Sequence, residues 1–288
     1  MRQDASVIDT HQSAPTRFID AKGIRFAYRR IGPSLGVPLV LLQHFRGNMD
    51  NWDPVVVDGL AYERPVVLVD NRGIGQTTGS TPDNVGAMAD DALAFIDALG
   101  EKHIDLLGFS LGGMVAQQIL IDRPQLVRAA ILVGTGPRGS ADVFAPEVVR
   151  AASRVPSDPQ SLLFLFFTDT PHSRAGGERY LQRMMLRTER EPATNEQVMR
   201  AHLAAIREWA DYPDHTDALS RIRQPVLVVN GSHDIMIPTV NSYALSQQLP
   251  NAELIVYPDS GHGSLFQYPE RFTTDVARFL ADTEQRNR

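Results

Sequence analysis

The strongest constraint on this chain is a repetition of short apolar runs separated by amphipathic stretches. Leu39–Leu42, Val66–Val69, Ile104–Phe109, Ala129–Val133, Val226–Val229 and Leu254–Tyr257 show little of the polar alternation of a strand with one wet face. Such runs fit strands covered on both sides, as in a mainly parallel sheet flanked by crossover helices. Two earlier segments, Thr16–Asp20 and Ile24–Arg30, flank Lys22-Gly23 and read as an opening antiparallel hairpin. Between the runs, Val85, Met88, Ala89, Ala92, Phe95, Ile96 and Leu99 recur at helical spacing, with Asp83 as a candidate cap and Gly100 just past the end. A second helix is expected over Gly112–Ile121, and a third from about Pro269 through Leu280.

The alternation fails between about Gly136 and Arg221. Pro156, Pro159, Pro171 and Pro192 divide that stretch into short helical pieces carrying Phe164, Phe166, Phe167, Met184, Met185 and Trp209. A helical insertion between two parallel strands is most simply a lid over the strand C-terminal ends, where ligands bind in open α/β sheets. The expected division is therefore a loose N-terminal arm (1–15), a core (16–135 and 222–288) and a lid (136–221). Phe164, Phe167, Met184 and Trp209 are the candidate pocket residues. Their alternative role is the insertion's own small core.

Composition narrows the chemistry. The absence of cysteine removes thiolate nucleophiles, thiolate metal sites and disulfides together. With 28 basic against 34 acidic residues, the net charge of −6 argues against nucleic acid as a partner. Only Lys22 and Lys102 are available for lysine chemistry. No apolar run approaches the roughly 20 residues of a membrane span, and Met1–Ala14 holds no signal-peptide core. A cytoplasmic protein with a small-molecule substrate and no membrane partner is expected. The sequence leaves the oligomeric state, monomer or homodimer, open.

Gly108-Phe109-Ser110-Leu111-Gly112 matches G-x-S-x-G. The pattern alone is weak, but here an apolar strand runs into it and a helix leaves it, the strand–turn–helix elbow that exposes a nucleophile above a sheet. A serine hydroxyl needs a base, and the base needs an orienting carboxylate. Of the eight histidines, His11 lies in the leader, His103 opens a strand, and His172, His202 and His215 fall in the insertion. His262 instead sits in Ser260-Gly261-His262-Gly263, after the last strand, and Asp234 follows the strand before it. The order Ser110, Asp234, His262 is that of a triad on this kind of sheet.

These motifs resemble those of the α/β-hydrolase fold superfamily, from about Thr16 to Leu280. Asp70-Asn71-Arg72-Gly73-Ile74-Gly75 is similar to its D-x-R-G-x-G turn, and Gly108–Met114 to the elbow of esterases, enol-lactonases and cofactor-free haloperoxidases. The resemblance implies an eight-stranded sheet with a lid between the sixth and seventh strands. It also implies a serine hydrolase acting on an ester or lactone through an acyl-enzyme, without cofactor, and the aromatic and methionine content of the insertion points to a small to medium, largely apolar substrate. Perhydrolysis or carbon–carbon bond hydrolysis with the same triad is an alternative, as is a noncatalytic receptor on the same fold.

One departure concerns the oxyanion loop. The family's His-Gly-x is replaced by Gln43-His44-Phe45-Arg46-Gly47-Asn48. Counting back from Trp52 suggests one residue deleted near His44. The first backbone donor then falls at Phe45, with Arg46 as the alternative, and the second at Leu111. His44 itself is read as a buried structural residue. Gly73–Thr78 only partly resembles a dinucleotide fingerprint, and His233-Asp234 lacks further ligands, so neither a nucleotide nor a metal site is expected.

Overall fold

The computed structural model describes residues 9–140, 142–143, 145–155, 158–212 and 216–286. The first eight residues of the expected arm, and His215, lie outside them. Eight strands form one sheet: β1 (Arg17–Ala21), β2 (Ile24–Ile31), β3 (Leu39–Leu42), β4 (Val66–Val69), β5 (Ile104–Phe109), β6 (Val127–Val133), β7 (Val226–Gly231) and β8 (Ala252–Tyr257). Their spatial order is β1-β2-β4-β3-β5-β6-β7-β8. The β1–β2 and β2–β4 pairs are antiparallel, and all pairs from β4 through β8 are parallel. Lys22 (φ 47°) and Gly23 (φ 78°) turn the hairpin, both left-handed as a two-residue connection between twisted strands requires.

Helices cover both faces of the sheet. On one face α1 (Pro54–Leu60) and α11 (Pro269–Arg286) pack through Val56, Val57, Leu60, Phe272, Val276 and Leu280. On the other, α2 (Val85–Leu99), α3 (Leu111–Asp122) and α9 (Thr239–Gln248) supply Val85, Phe95, Met114, Ile119 and Leu245. The start of α2 is capped by Asn84, not Asp83. The Asn84 side chain accepts from the Ala87 N–H at 2.8 Å, and Asp83 stands one residue too early for that reach. Gly100 ends the helix at φ 75° as expected.

Between β6 and β7 lie α4 (Pro146–Ala152), α5 (Pro159–Phe166), α6 (Pro171–Met184), α7 (Glu196–Asp211) and α8 (Thr216–Leu219). These helices divide between the two cores. Phe166, Phe167, Tyr180 and Met184 join the α1/α11 side, whereas Ala205, Trp209 and Leu219 join the α2/α3 side. The Tyr180 ring stacks on Phe266 of α10 (Ser264–Gln267) at 4.4 Å, and its hydroxyl donates to the Asn51 carbonyl at 2.9 Å. Arg29 on β2 ties the far end of the insertion to the core. It meets Asp50 at 2.7 Å and Glu191 at 2.9 Å, with all three side chains buried. No helix among the described residues is long and apolar enough to cross a membrane.

The described part of the N-terminal arm is docked, contrary to the loose arm expected. Ala14 is buried in the α1/α11 core, the His11 N–H donates to Asp58 at 2.7 Å, and Arg187 donates to the His11 and Gln12 carbonyls. The segment is polar in sequence because backbone groups and a histidine make these contacts.

Candidate active site

Ser110 stands between β5 and α3 with φ 57° and ψ −117°, a left-handed conformation that costs energy for a residue with a Cβ. The surrounding sterics hold it there. Its N–H donates to the Val133 carbonyl at 2.8 Å, and its carbonyl accepts from Gly113 and Met114. A Cβ at Gly112 would stand 2.1 Å from the Leu42 carbonyl oxygen, so only glycine lets the helix start against β3. Ser110 is almost fully buried, and Leu111, the first residue of α3, presents one of the N–H groups a helix start leaves unpaired within the helix.

The loops after β7 and β8 bring Asp234 and His262 together. Asp234 Oδ2 lies 2.7 Å from His262 Nδ1, and Oδ1 accepts the Met236 and Ile237 N–H groups at 2.8 and 3.0 Å. A carboxylate oxygen accepts, so Nδ1 carries the proton and Nε2 presents its lone pair. Nε2 is buried and has no hydrogen-bond partner. The imidazole packs at 5.0 Å on Phe109, the residue before Ser110, and at 5.6 Å on Phe166 from α5. The Gly263 N–H donates to the Phe166 carbonyl at 2.8 Å, and a Cβ at Gly261 would meet that carbonyl oxygen at 2.8 Å. The insertion thus presses on the histidine loop from above.

Phe45 and Arg46 lie on the loop after β3. The Arg46 N–H is already engaged, donating to His202 Nδ1 at 3.0 Å, and Arg46 holds φ 60°. That commitment favours Phe45 over Arg46 as the oxyanion donor. His202, on α7, also sets its ring 6.0 Å from Phe45. Burial pushes its pKa down to about 3, so it stays neutral with its proton on Nε2. His44 is likewise pushed down to about 3 by burial, and its Nδ1 lies 2.8 Å from the Phe45 carbonyl. A ring so weakly basic, wedged edge-on between Phe109 and Phe166, is a packing element of the loop and a poor base.

Above the loop lies a cavity of about 390 Å³, walled by Phe45, Leu162, Leu165, Phe166, Met184 and Met236 among others. A smaller pocket of about 40 Å³ reaches Ser110 between Val148, Leu203, Ile206 and Ile237. Phe45, Ala152 and Met236 belong to both walls.

Of the four candidate pocket residues, only Met184 lines the cavity. Phe164 points outward and is 45 % exposed, because Leu162, Leu165 and Phe166 take the inward phase of α5. Phe167 is buried against Tyr180 at 6.0 Å and lines an outer cleft with Phe164. Trp209 is packed in the α2/α3 core, its Nε1 donating to the Gly136 carbonyl at 3.2 Å. The i, i+3, i+4 spacing of Leu162, Leu165 and Phe166 was a usable signal for the face that lines this cavity. Nothing local marked His202 or the Arg46 side chain. Among the described residues no group of three His, Cys, Asp or Glu converges to hold a metal.

Residues 37–269 match the family model described as "alpha/beta hydrolase fold". The chain belongs to that family. An alpha/beta hydrolase fold protein from Chitinophaga pinensis is 41 % identical and superposes with a TM-score of 0.90, over 94 % of this chain and 99 % of that one. RutD of Rhizobium rhizogenes, named as a candidate carbamate hydrolase, is 28 % identical over 84 % of this chain and 92 % of its own. The 2-hydroxymuconate semialdehyde hydrolase of a Pseudomonas species is 26 % identical over 93 % and 94 %. Hydrolase chemistry is the common property of these named relatives.

Proposed function

We propose that the protein is a serine hydrolase cleaving a carboxylic ester or lactone of small to medium size. The observation that carries this reading is a strained, buried Ser110 that follows Phe109, on whose ring His262 packs, with His262 Nδ1 held by Asp234 and Nε2 left bare. The Ser110 Oγ attacks the carbonyl carbon and its proton passes to Nε2. Asp234 then faces an imidazolium, whose charge it stabilises. The carbonyl π pair moves to oxygen, and the oxyanion is met by the N–H groups of Phe45 and Leu111. Each such donor is worth about 3–4 kcal/mol in a water-excluded site. His262 returns its proton to the leaving alkoxide, and a water deprotonated by Nε2 releases the acid. In this reading the insertion is a lid. Leu162, Leu165, Phe166 and Met184 give it an apolar inner wall that suits the hydrocarbon part of an acyl group.

The test is a panel of aryl esters and lactones assayed with the parent protein and Ser110→Ala. The variant should lose at least about 10³-fold in kcat/KM. A fluorophosphonate should add its mass to Ser110 in the parent alone. Retained turnover in Ser110→Ala would overturn the proposal.

A further inference from the structure

Arg46 is 9 % exposed, and no carboxylate among the described residues pairs with it. Its Nη1 donates to the carbonyls of Ala152 and Arg154 at 3.0 and 2.7 Å, but Nε and Nη2 have neither an acceptor among the described residues nor access to water. Those two nitrogens form the side of a guanidinium that carries two parallel N–H groups, the edge that matches a carboxylate. The same molecule shows the edge in use. Arg183 Nε and Nη2 meet the two oxygens of Asp53 at 2.9 and 2.5 Å, and Arg128 holds Asp105 in the same manner.

A buried cation with that edge empty is costly unless a ligand completes it. Arg46 lines the cavity and follows Phe45, whose side chain also borders the Ser110 pocket. The two carboxylates on the cavity wall are already committed. Asp158 accepts from the Ser161 N–H and hydroxyl and pairs with Arg154. Glu191 pairs with Arg29 and takes the Gln76 amide. A second cation, Arg190, stands on the same wall with no ion pair among the described residues, donating to the Met184 carbonyl. The cavity therefore offers an apolar wall and uncompensated positive charge.

We propose that the substrate's acyl group ends in a carboxylate, which seats on the Nε and Nη2 edge of Arg46 while the ester carbonyl lies at Ser110. Because Arg46 borders the cavity while its Nε and Nη2 are covered, the guanidinium swings toward the ligand and gives up the Ala152 and Arg154 carbonyls. This proposal rests on the hydrolase reading above and assigns its substrate class: a monoester of an aliphatic dicarboxylic acid, or a lactone carrying a free acid.

The experiment compares mono-4-nitrophenyl adipate and pimelate with 4-nitrophenyl hexanoate and heptanoate, neutral esters of matched length. The parent should favour the acids by tenfold or more in kcat/KM. Arg46→Met should lower the acid esters about 30-fold and the neutral esters less than threefold, and Arg46→Lys should recover part of the loss. Preference of the parent for the neutral esters, or an equal fall for both in Arg46→Met, would overturn the proposal. A binding arm separates it from the hydrolase reading. Hexanoate, but not hexanamide, should bind Ser110→Ala in a calorimeter, and Ser110→Ala/Arg46→Met should bind neither. Equal binding of the acid and the amide would overturn the carboxylate seat whatever Ser110 does.

Discussion

The loops that carry Ser110, Asp234 and His262 and the insertion that roofs them hold their shapes by different means. The loops are fixed by backbone. Ser110 is locked by bonds to Val133, Gly113 and Met114, Gly112 lies against the Leu42 carbonyl, and Asp234 Oδ1 is pinned by two N–H groups of its own turn. The insertion is fixed by side chains reaching residues more than 80 positions away. Arg183 meets Asp53, Tyr180 meets Asn51, Ser173 meets Gln267, and Glu191 meets Arg29. Geometry of the first kind resists change one residue at a time. Geometry of the second kind can be retuned by substitution, which suits the substrate-selecting part proposed above.

The largest effect that tests this contrast is on stability. Trp209 fills the α2/α3 core and lines neither the cavity nor the Ser110 pocket, so Trp209→Ala should cost about 3–5 kcal/mol in urea unfolding. The activity of the folded fraction should stay within threefold. A variant that unfolds normally but loses its activity would break the separation between a holding part and a reacting part.

His202 is where the two parts touch, and it sharpens the comparison. His202→Phe removes the acceptor for the Arg46 N–H and leaves that donor buried, a cost of about 1–3 kcal/mol. With the Phe45–Arg46 turn loosened, kcat should fall about tenfold while KM moves less than threefold. The pH dependence gives a second readout. The folded pKa of about 3 lies below the usual 6.5, so His202 binds a proton on unfolding. Its contribution is present above pH 6.5 and is lost as pH falls toward 3, at about 1.4 kcal/mol per pH unit. His44 and His11, lowered by burial to about 3 and about 4, act in the same direction. Asp70, raised by burial and by Glu191, opposes them. Unfolding free energies at pH 6 and 5 should show the parent losing about 1.2 kcal/mol more than His202→Phe. Equal slopes would mean that His202 is not held neutral.

The same contrast explains what could be read from sequence. The strands were legible because both-face burial leaves unbroken apolar runs. The Ser110 elbow and the Asp234–His262 pair were legible because strand ends, glycines and chain order are local properties. The docking of His11 to Met49 and Asp58 was not, since polar groups that pair across the fold look like solvated residues in the sequence. Trp209 was misplaced for a related reason. An aromatic on an amphipathic helix declares that it is buried, but not against which face of the sheet. The Arg46 side chain was invisible as a ligand because only the fold reveals that no carboxylate reaches it.

The smallest expected effect tests the phase of α5. Phe164 is half exposed on its outer side, whereas Leu165, one residue on, is buried and lines the cavity. One residue turns a helix by about 100°, enough to separate a wall position from a solvent position. Phe164→Ser should therefore change unfolding free energy by no more than about 0.5 kcal/mol and leave kcat/KM within twofold. Leu165→Ser, which puts a hydroxyl into the apolar wall, should destabilise the chain and raise KM for hexanoate esters. The reverse ranking would place Phe164 on the substrate and turn α5 by a quarter, shifting Phe166 away from His262. Because the Phe166 carbonyl also holds the Gly263 N–H, such a turn would break the bond through which the insertion fixes the histidine loop. An unaltered Phe164→Ser is thus evidence about the setting of His262, the proposed base, as well as about the insertion.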